Sequence, residues 1–189
     1  MSGWTEIKQS CPNVTAYQRE DEGSDFKCFK AETFYDSPPE KVARYICDNY
    51  SKLHMDLHQG DFDAFDVAHR FNENAYITNT LTKSKGPVSG RQIYAIGVFL
   101  ELDNNTYAQV GTSVPITPGS EAPGYIEADL IGSVHVWEPA AGDSNRTHHM
   151  YTMIMDPKGS VPAMVVNALL GNRAQFFELL RENVHANVV

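Results

Sequence analysis

The chain has 189 residues, 42% of them hydrophobic and 21% charged, which predicts one globular domain over residues 1–189. Its net charge of −9 argues against nucleic acid as a partner, because phosphate backbones are bound by clustered lysine and arginine. We expect a cytoplasmic protein, since the sequence has no apolar run of membrane-spanning length, no signal-peptide pattern, and three cysteines without metal-like spacing.

The predicted elements begin with a β-rich segment at 25–35, followed by a helix over 37–53. Ser37 and Glu40 form a capping-box pattern at the start of that helix. Six further strands are predicted at 64–71, 74–82, 91–102, 106–114, 124–137 and 147–155. Short turns separate these strands, which predicts antiparallel pairing. A long helix from 161 to about 184 closes the chain.

The two halves of this last helix differ in pattern. Its second half is amphipathic, with apolar Phe176, Phe177, Leu180 and Val184 opposite charged Arg173, Glu178, Arg181 and Glu182. In its first half, 161–170, eight of the ten residues are apolar, and they lie on nearly every side of the predicted helix. Either this half is plugged into an ordinary core, or it roofs an internal cavity and touches a ligand. Methionines near the last strand and small residues in the strands favour a cavity.

Several motifs resemble one family. The run "YTMIMDPKGSVPAMVVNALLGNRAQFFELLREN" is similar to the ending of START (StAR-related lipid-transfer) domains. The stretches "GPVSGRQIY", "YAQVGTSV", "GYIEADLIGSVHVWEP" and "GWTEIKQSCPNVTAYQRE" resemble other landmarks of the family, in the family's order. The likeness is to members of the phosphatidylcholine-transfer-protein type.

The resemblance implies an α+β helix-grip fold, in which a curved antiparallel β-sheet wraps around a long C-terminal helix and encloses a lipid tunnel. It implies a monomer that binds a single lipid, preferably a phospholipid, and transfers it between membranes through transient contact with their surfaces. Neither catalysis, a cofactor nor a bound metal is expected. The alternatives are a carrier of a sterol or another amphiphile, a lipid sensor, and an enzyme built on a helix-grip fold.

The resemblance also suggests site residues. Arg91 matches the arginine that meets the lipid phosphate in phosphatidylcholine-binding members, although a structural ion pair would explain it equally well. Tyr151 matches an aromatic residue on the last strand, for which core packing is the alternative. The charged positions of sterol carriers read here as Thr80 and Gly97. The residues that we expect to bind lipid are Arg91, Tyr151, Met153, Met164, Val165, Ala168 and Leu169.

Histidines supply the one metal-like pattern. His54 and His58 are four residues apart with aspartates nearby, which on a helix suits a divalent metal. A solvated helix end followed by an acidic loop is the alternative interpretation. The adjacent His148 and His149 point to opposite faces if they lie on a strand, so they cannot share one ion.

Overall fold

The structure is a computed structural model that describes residues 3–58, 60–86, 88–168 and 170–188. In chain order the strands are β1 (Thr5–Glu6), β2 (Val14–Asp21), β3 (Ser24–Tyr35), β4 (Phe62–Arg70), β5 (Ala75–Thr82), β6 (Arg91–Leu102), β7 (Thr106–Ser113), β8 (Ile126–Glu127), β9 (Asp129–Ala140) and β10 (Asp143–Asp156). The α-helices are α1 (Pro39–Asp48), α2 (Tyr50–Leu57), α3 (Ala163–Ala168) and α4 (Arg173–Asn187). Within the described ranges, no helix is long and apolar enough to cross a bilayer.

The strands form one sheet in the order β1-β2-β3-β10-β9-β7-β6-β5-β4. All of these neighbours are antiparallel, as the sequence predicted. The strand predicted at 124–137 is the exception, because it is divided in two. Its start, β8, pairs in parallel with β6, and only β9 joins the main order.

One face of the sheet is concave and packs on the helices, and side chains alternate between this face and the outer one. On β10, His149 is buried on the concave face, where its ring lies 6.0 Å from that of Phe177. His148 lies on the outer face, stacked on Phe34 with the ring centres 4.8 Å apart. The prediction that the two histidines point to opposite faces is confirmed.

The side chains on the concave face change from large to small along the strands. At the end where β3 finishes, Tyr35, Phe99 and Trp137 are buried under the helices. Towards the other end, β6, β7 and β9 carry the small residues Ala95, Gly97, Gly111 and Ser133. The small residues on β6, β7 and β9 leave room between sheet and helices.

Helix α1 covers the aromatic end with Val42, Ala43 and Ile46. Its predicted capping box is wrong, because no side chain caps the helix, which begins at Pro39. The neighbouring Ser37 is instead buried, and its carbonyl accepts a hydrogen bond of 2.6 Å from the Thr147 hydroxyl.

Helix α4 buries the four apolar residues that the sequence predicted, Phe176, Phe177, Leu180 and Val184. Glu178, predicted to lie on the polar side, is buried as well. Its carboxylate accepts hydrogen bonds from the backbone N–H of Asn13 at 3.0 Å and from the Asn13 side chain at 2.6 Å. The carboxylate is thereby satisfied inside the protein.

The predicted single helix from 161 to about 184 is wrong, because the chain breaks between α3 and α4. Leu170–Asn172 form a 3-10 turn at the break. Gly171 lies so close to the N-terminal segment that a Cβ there would be 3.3 Å from Cγ2 of Ile7. This tertiary contact, at a residue with low helix propensity, separates α3 from α4.

Candidate functional site

A small cavity lies between the helices and the small-residue part of the concave face. Its volume is about 30 Å³, enough for one water molecule, whereas small-molecule pockets usually have roughly 300–1,000 Å³. The residues that line it are Tyr50, Tyr76, Thr78, Ala95, Ile96, Gly97, Gln109, Val110, Gly111, Leu130, Ser133 and His135. The cavity has no space for a lipid in this structure, so it would have to widen for a lipid to bind there.

Two of the expected lipid-binding residues, Tyr151 and Met153, lie on the concave face, but neither of them lines this cavity. Met153 is buried in the core. Tyr151 is half-buried, with its ring 4.3 Å from that of His135 and 5.0 Å from that of Phe177. Burial raises the pKa of the Tyr151 hydroxyl to about 12, so it remains a neutral donor at physiological pH. These contacts are also those of an ordinary core aromatic.

The expected residues on α3 lie elsewhere. Met164 is 79% exposed, Val165 is 45% exposed, and α3 buries none of its side chains. Ala168 is also exposed and borders a surface groove beside the N-terminal segment. Leu169 lies outside the described residues. Both interpretations of segment 161–170 require its apolar side chains to be covered, and α3 contradicts this because it buries none of its side chains.

Residues 157–168, which we call the strap, run across one end of the concave face. The strap leaves β10 and touches β6, because Arg91 donates hydrogen bonds to the carbonyls of Pro157 and Lys158. It then returns to β3, where Asn167 accepts from the backbone N–H of Lys27 at 2.9 Å. Since β3 and β6 are separated by three strands in the sheet, the strap crosses the small-residue end of the concave face.

Arg91 itself is only 6% exposed. Its Nε donates to the Pro157 carbonyl at 2.5 Å, Nη2 donates to the Lys158 carbonyl at 3.1 Å, and Nη1 donates to the Ser89 carbonyl. These bonds occupy each nitrogen of the guanidinium with a backbone acceptor. The contacts give Arg91 a structural role in holding the strap, although with backbone carbonyls rather than the suggested ion pair.

Gln92, which follows Arg91, anchors the loop that leads to β8. Its amide nitrogen donates to the Ser120 carbonyl at 2.8 Å, and its amide oxygen accepts from the backbone N–H of Ala122 at 2.8 Å. A glutamine supplies both a donor and an acceptor here, whereas a carboxylate would supply acceptors alone.

The sequence model of the START domain family matches residues 1–185. The chain belongs to the START domain family. A comparison with curated protein sequences found no match.

Solved structures share the fold of this START domain. Human StAR-related lipid transfer protein 5 aligns with a TM-score of 0.79 and 15% identity, over 98% of this chain and 88% of that one. A StAR-related lipid transfer protein from Xanthomonas axonopodis aligns with a TM-score of 0.78 and 18% identity, over 97% and 99%. The lipid transfer and protein localization domain of human StarD13 aligns with a TM-score of 0.76 and 19% identity, over 96% of this chain and 89% of that one. The predicted helix-grip fold is confirmed.

The metal alternative receives no support from the described part of this START domain, which contains no group of three histidines, cysteines or acidic residues suited to an ion. His54 is instead stacked between the rings of Phe65 and Phe176, with centres 4.5 and 4.7 Å away. His58 stacks on Phe176 at 4.1 Å, and burial lowers its pKa to about 4. Both histidines act as neutral aromatic packing residues between α2, β4 and α4.

The sequence placed Arg173, which begins α4, on the polar side of the helix, and this placement is wrong. Arg173 lies on the helix face that carries Phe176 and Phe177, and burial lowers its pKa from the ordinary value. The Tyr151 hydroxyl and the Asp61 carboxylate are its electrostatic neighbours. In the described part of the chain no carboxylate forms a salt bridge with Arg173. A guanidinium stays charged under these conditions, so it places a positive charge next to the interior.

Sequence reasoning did not select a row of buried polar groups on the concave face. The Tyr35 hydroxyl lies 3.2 Å from Nδ1 of His149, and Nε2 of His149 lies 3.0 Å from Nδ1 of His135. Residues of β3, β10 and β9 thus form one hydrogen-bonded chain. Tyr35 and His149 are 114 residues apart, so only the register of the strands brings them together.

Proposed function

We propose that this START domain binds one lipid between the concave face and the helices, and carries it between membranes in the cytoplasm. The observation that carries the proposal is the strap, which crosses the small-residue end of the concave face and whose helix α3 buries no side chain. A helix with so few buried contacts moves at low free-energy cost. Its displacement would join the cavity beside Gly97 and Gly111 to solvent or to a membrane.

The exposed side chains of the strap suit contact with a membrane surface. Met164 and Val165 offer apolar area to the lipid interface, where each buried CH₂ contributes about 0.8 kcal/mol. Membrane contact would cover the side chains that are exposed in the free protein and leave the interior accessible. A lipid could then enter without crossing water.

We propose a phospholipid as the cargo, with Arg173 rather than Arg91 facing the phosphate. The nitrogens of Arg91 already donate to three carbonyls, whereas no carboxylate of the described residues pairs with Arg173. A guanidinium forks onto phosphate oxygens, and such bonds are about twice as strong as neutral ones. Two positions carry charged residues in sterol-binding members, and here these positions hold the uncharged Thr80 and Gly97.

Native mass spectrometry of the protein purified from eukaryotic cells, with extraction of its lipids, tests this proposal. We expect a one-to-one adduct with the mass of a phospholipid, and transfer of that lipid between vesicles. A sterol adduct would keep the carrier function and exclude the head-group role of Arg173. Protein that carries no lipid and transfers none would contradict the function itself.

A pair of variants isolates Arg173. Arg173→Met should slow phospholipid transfer at least about 10-fold, because a charged hydrogen bond contributes about 1.5–3 kcal/mol. Arg70→Met is the matched control, since it removes the same charge from an exposed position on β4. Equal transfer rates of the two variants would exclude Arg173 as the phosphate ligand.

A further inference from the structure

The hydrogen-bonded chain of Tyr35, His149 and His135 has a defined direction. Tyr35 is fully buried, burial raises the pKa of its hydroxyl, and its bond to His149 uses the one acceptor that the described residues offer it. The Tyr35 O–H therefore donates to Nδ1 of His149. If the roles were reversed, a buried phenol proton would be left without an acceptor, which costs about 1–3 kcal/mol.

This direction fixes the tautomers of both histidines. Burial lowers the pKa of His149 to about 3, and it holds the pKa of His135 well below its ordinary value, so both rings are neutral. A neutral imidazole has one donor and one acceptor. Since Nδ1 of His149 accepts from Tyr35, its Nε2–H donates to Nδ1 of His135. His135 must then carry its own proton on Nε2.

The last donor in the chain has no protein partner. His135 is 3% exposed, and its Nε2 is buried without a hydrogen-bond acceptor among the described residues. The ring lines the cavity beside Tyr50, Gln109 and Ser133. An unpaired buried N–H of this kind is uncommon in folded proteins, and its position at a cavity indicates a ligand atom or a water molecule as its partner.

We propose that His135 is a specificity-determining residue, whose Nε2–H donates to an uncharged oxygen of the bound lipid, either an ester carbonyl or a hydroxyl. The proposal rests on the proposed lipid binding and adds the chemistry of the buried lipid atom. His149 and Tyr35 are positioning residues, which hold the His135 proton on the side of the cavity.

The surroundings of His135 favour an uncharged acceptor over a phosphate. The described residues that line the cavity include no charged side chain. A phosphate in this position would lose its water without gaining a cation, and such burial of a charge is costly. A carbonyl or hydroxyl oxygen loses much less and needs only one donor. The volume of about 30 Å³ fits one such atom in place of a water molecule.

Two matched pairs of probe lipids test the proposal. Dioleoyl phosphatidylcholine is compared with its diether analogue, which lacks the ester carbonyls, and cholesterol is compared with cholest-5-ene, which lacks the hydroxyl. Each pair is offered at equal mole fraction in vesicles, and the lipids recovered with the protein are quantified by mass spectrometry. We expect the native protein to prefer the oxygen-bearing member of one pair by about 3- to 10-fold, the value of one hydrogen bond. The pair that shows the preference identifies the carbonyl or the hydroxyl as the acceptor.

The variant His135→Phe keeps an aromatic ring and removes the donor, so the preference should fall to about 1 while total uptake continues. Equal uptake of both members by the native protein, or a preference that survives in His135→Phe, would overturn the proposal. The ring of Tyr50 lies edge-on to that of His135, with the ring centres 6.2 Å apart. If His135 only packs against Tyr50, the preference should survive in His135→Phe. Failure of the native protein to take up any of the four probes would instead contradict lipid binding as a whole.

A second measurement does not depend on how His135→Phe folds. Nitrogen-15 NMR of the native protein distinguishes the two imidazole tautomers. We expect the proton of His135 on Nε2, and the same measurement in Tyr35→Phe should show a mixture of tautomers. A proton on Nδ1 of His135 in the native protein would overturn the proposal, since the cavity would then face an acceptor.

Discussion

Replacement of Arg91 by methionine removes the guanidinium that holds the strap to β6. The three acceptors are the carbonyls of Pro157, Lys158 and Ser89, and the bond to Pro157 is fully buried. A hydrogen bond from a charged donor contributes about 1.5–3 kcal/mol. Water can replace the donor at the two partly buried carbonyls, so we expect a loss of about 3–4 kcal/mol in the free energy of unfolding rather than the full sum.

Urea denaturation followed by the fluorescence of the buried Trp137 measures this loss. In a chain of this size, 1 kcal/mol corresponds to about 2–4 °C in Tm, so a decrease of about 10 °C should accompany it. Arg91→Lys should lose most of the same stability, because one ammonium cannot reach three divergent carbonyls. Arg146→Met is the control, since the exposed pair that Arg146 forms with Asp36 contributes at most about 1 kcal/mol.

The same variants test the alternative role of Arg91. If Arg91→Met keeps the stability of the native protein but loses phospholipid transfer, the structural account of Arg91 is refuted and its head-group role is supported. Loss of stability with normal transfer at low temperature would confirm the structural account.

Three further predictions concern other parts of the molecule. Met164→Glu should lower transfer between vesicles several-fold. Because the Met164 side chain is exposed, this variant should change the free energy of unfolding by less than about 0.5 kcal/mol. Val67→Glu, at an exposed site on β4, is the control and should leave transfer unchanged. The free energy of unfolding should fall as the pH decreases from 6.5 to 5, since buried neutral histidines such as His149 (pKa about 3) gain protons only on unfolding. His149→Gln should reduce this slope by about 0.7 kcal/mol per pH unit at pH 6.5 and by about 1.3 kcal/mol per pH unit at pH 5. Cys47 is partly exposed, but burial raises the pKa of its thiol to about 12, so a thiol reagent at pH 8 should label Cys47 much more slowly in the native protein than in the unfolded one.

Each of these predictions has a result that contradicts it. Equal effects of Met164→Glu and Val67→Glu on transfer would exclude a specific membrane contact of α3. A slope unchanged by His149→Gln would mean that this ring is protonated in the folded protein. Equal labelling rates of Cys47 in the native and unfolded states, measured in a variant without the other two cysteines, would show that the thiol pKa is not raised in the folded protein.

Local patterns predicted the elements that local forces determine. The alternation on β10 and the apolar spacing of Phe176, Phe177 and Leu180 depend only on the period of a strand or helix, and the structure agrees with both. The resemblance to START domains added the topology, which short-range patterns do not contain. Together they were sufficient to predict the fold.

Apart from the capping box of Ser37 and Glu40, the errors concern contacts between distant parts of the chain. The long C-terminal helix was predicted from its apolar composition, but the contact of Gly171 with Ile7 interrupts it, and these residues are 164 positions apart in sequence. Arg91 finds its acceptors 66 and 67 residues away. The partners of His149 depend on the register of three strands. A single sequence gives no information about such pairings until the fold is known.

The two attachments of the strap differ in strength. On the β6 side, charged hydrogen bonds from a buried arginine hold it, whereas on the β3 side Asn167 forms two neutral bonds, of 2.9 Å to Lys27 and 3.1 Å to Asp25. If each neutral bond contributes about 1 kcal/mol, release of α3 from β3 costs about 2 kcal/mol, and roughly 3% of the molecules are open at any moment. If lipid exchange uses this opening, only encounters with a membrane that coincide with the open state would be productive, and the rate of transport would rise with the open fraction.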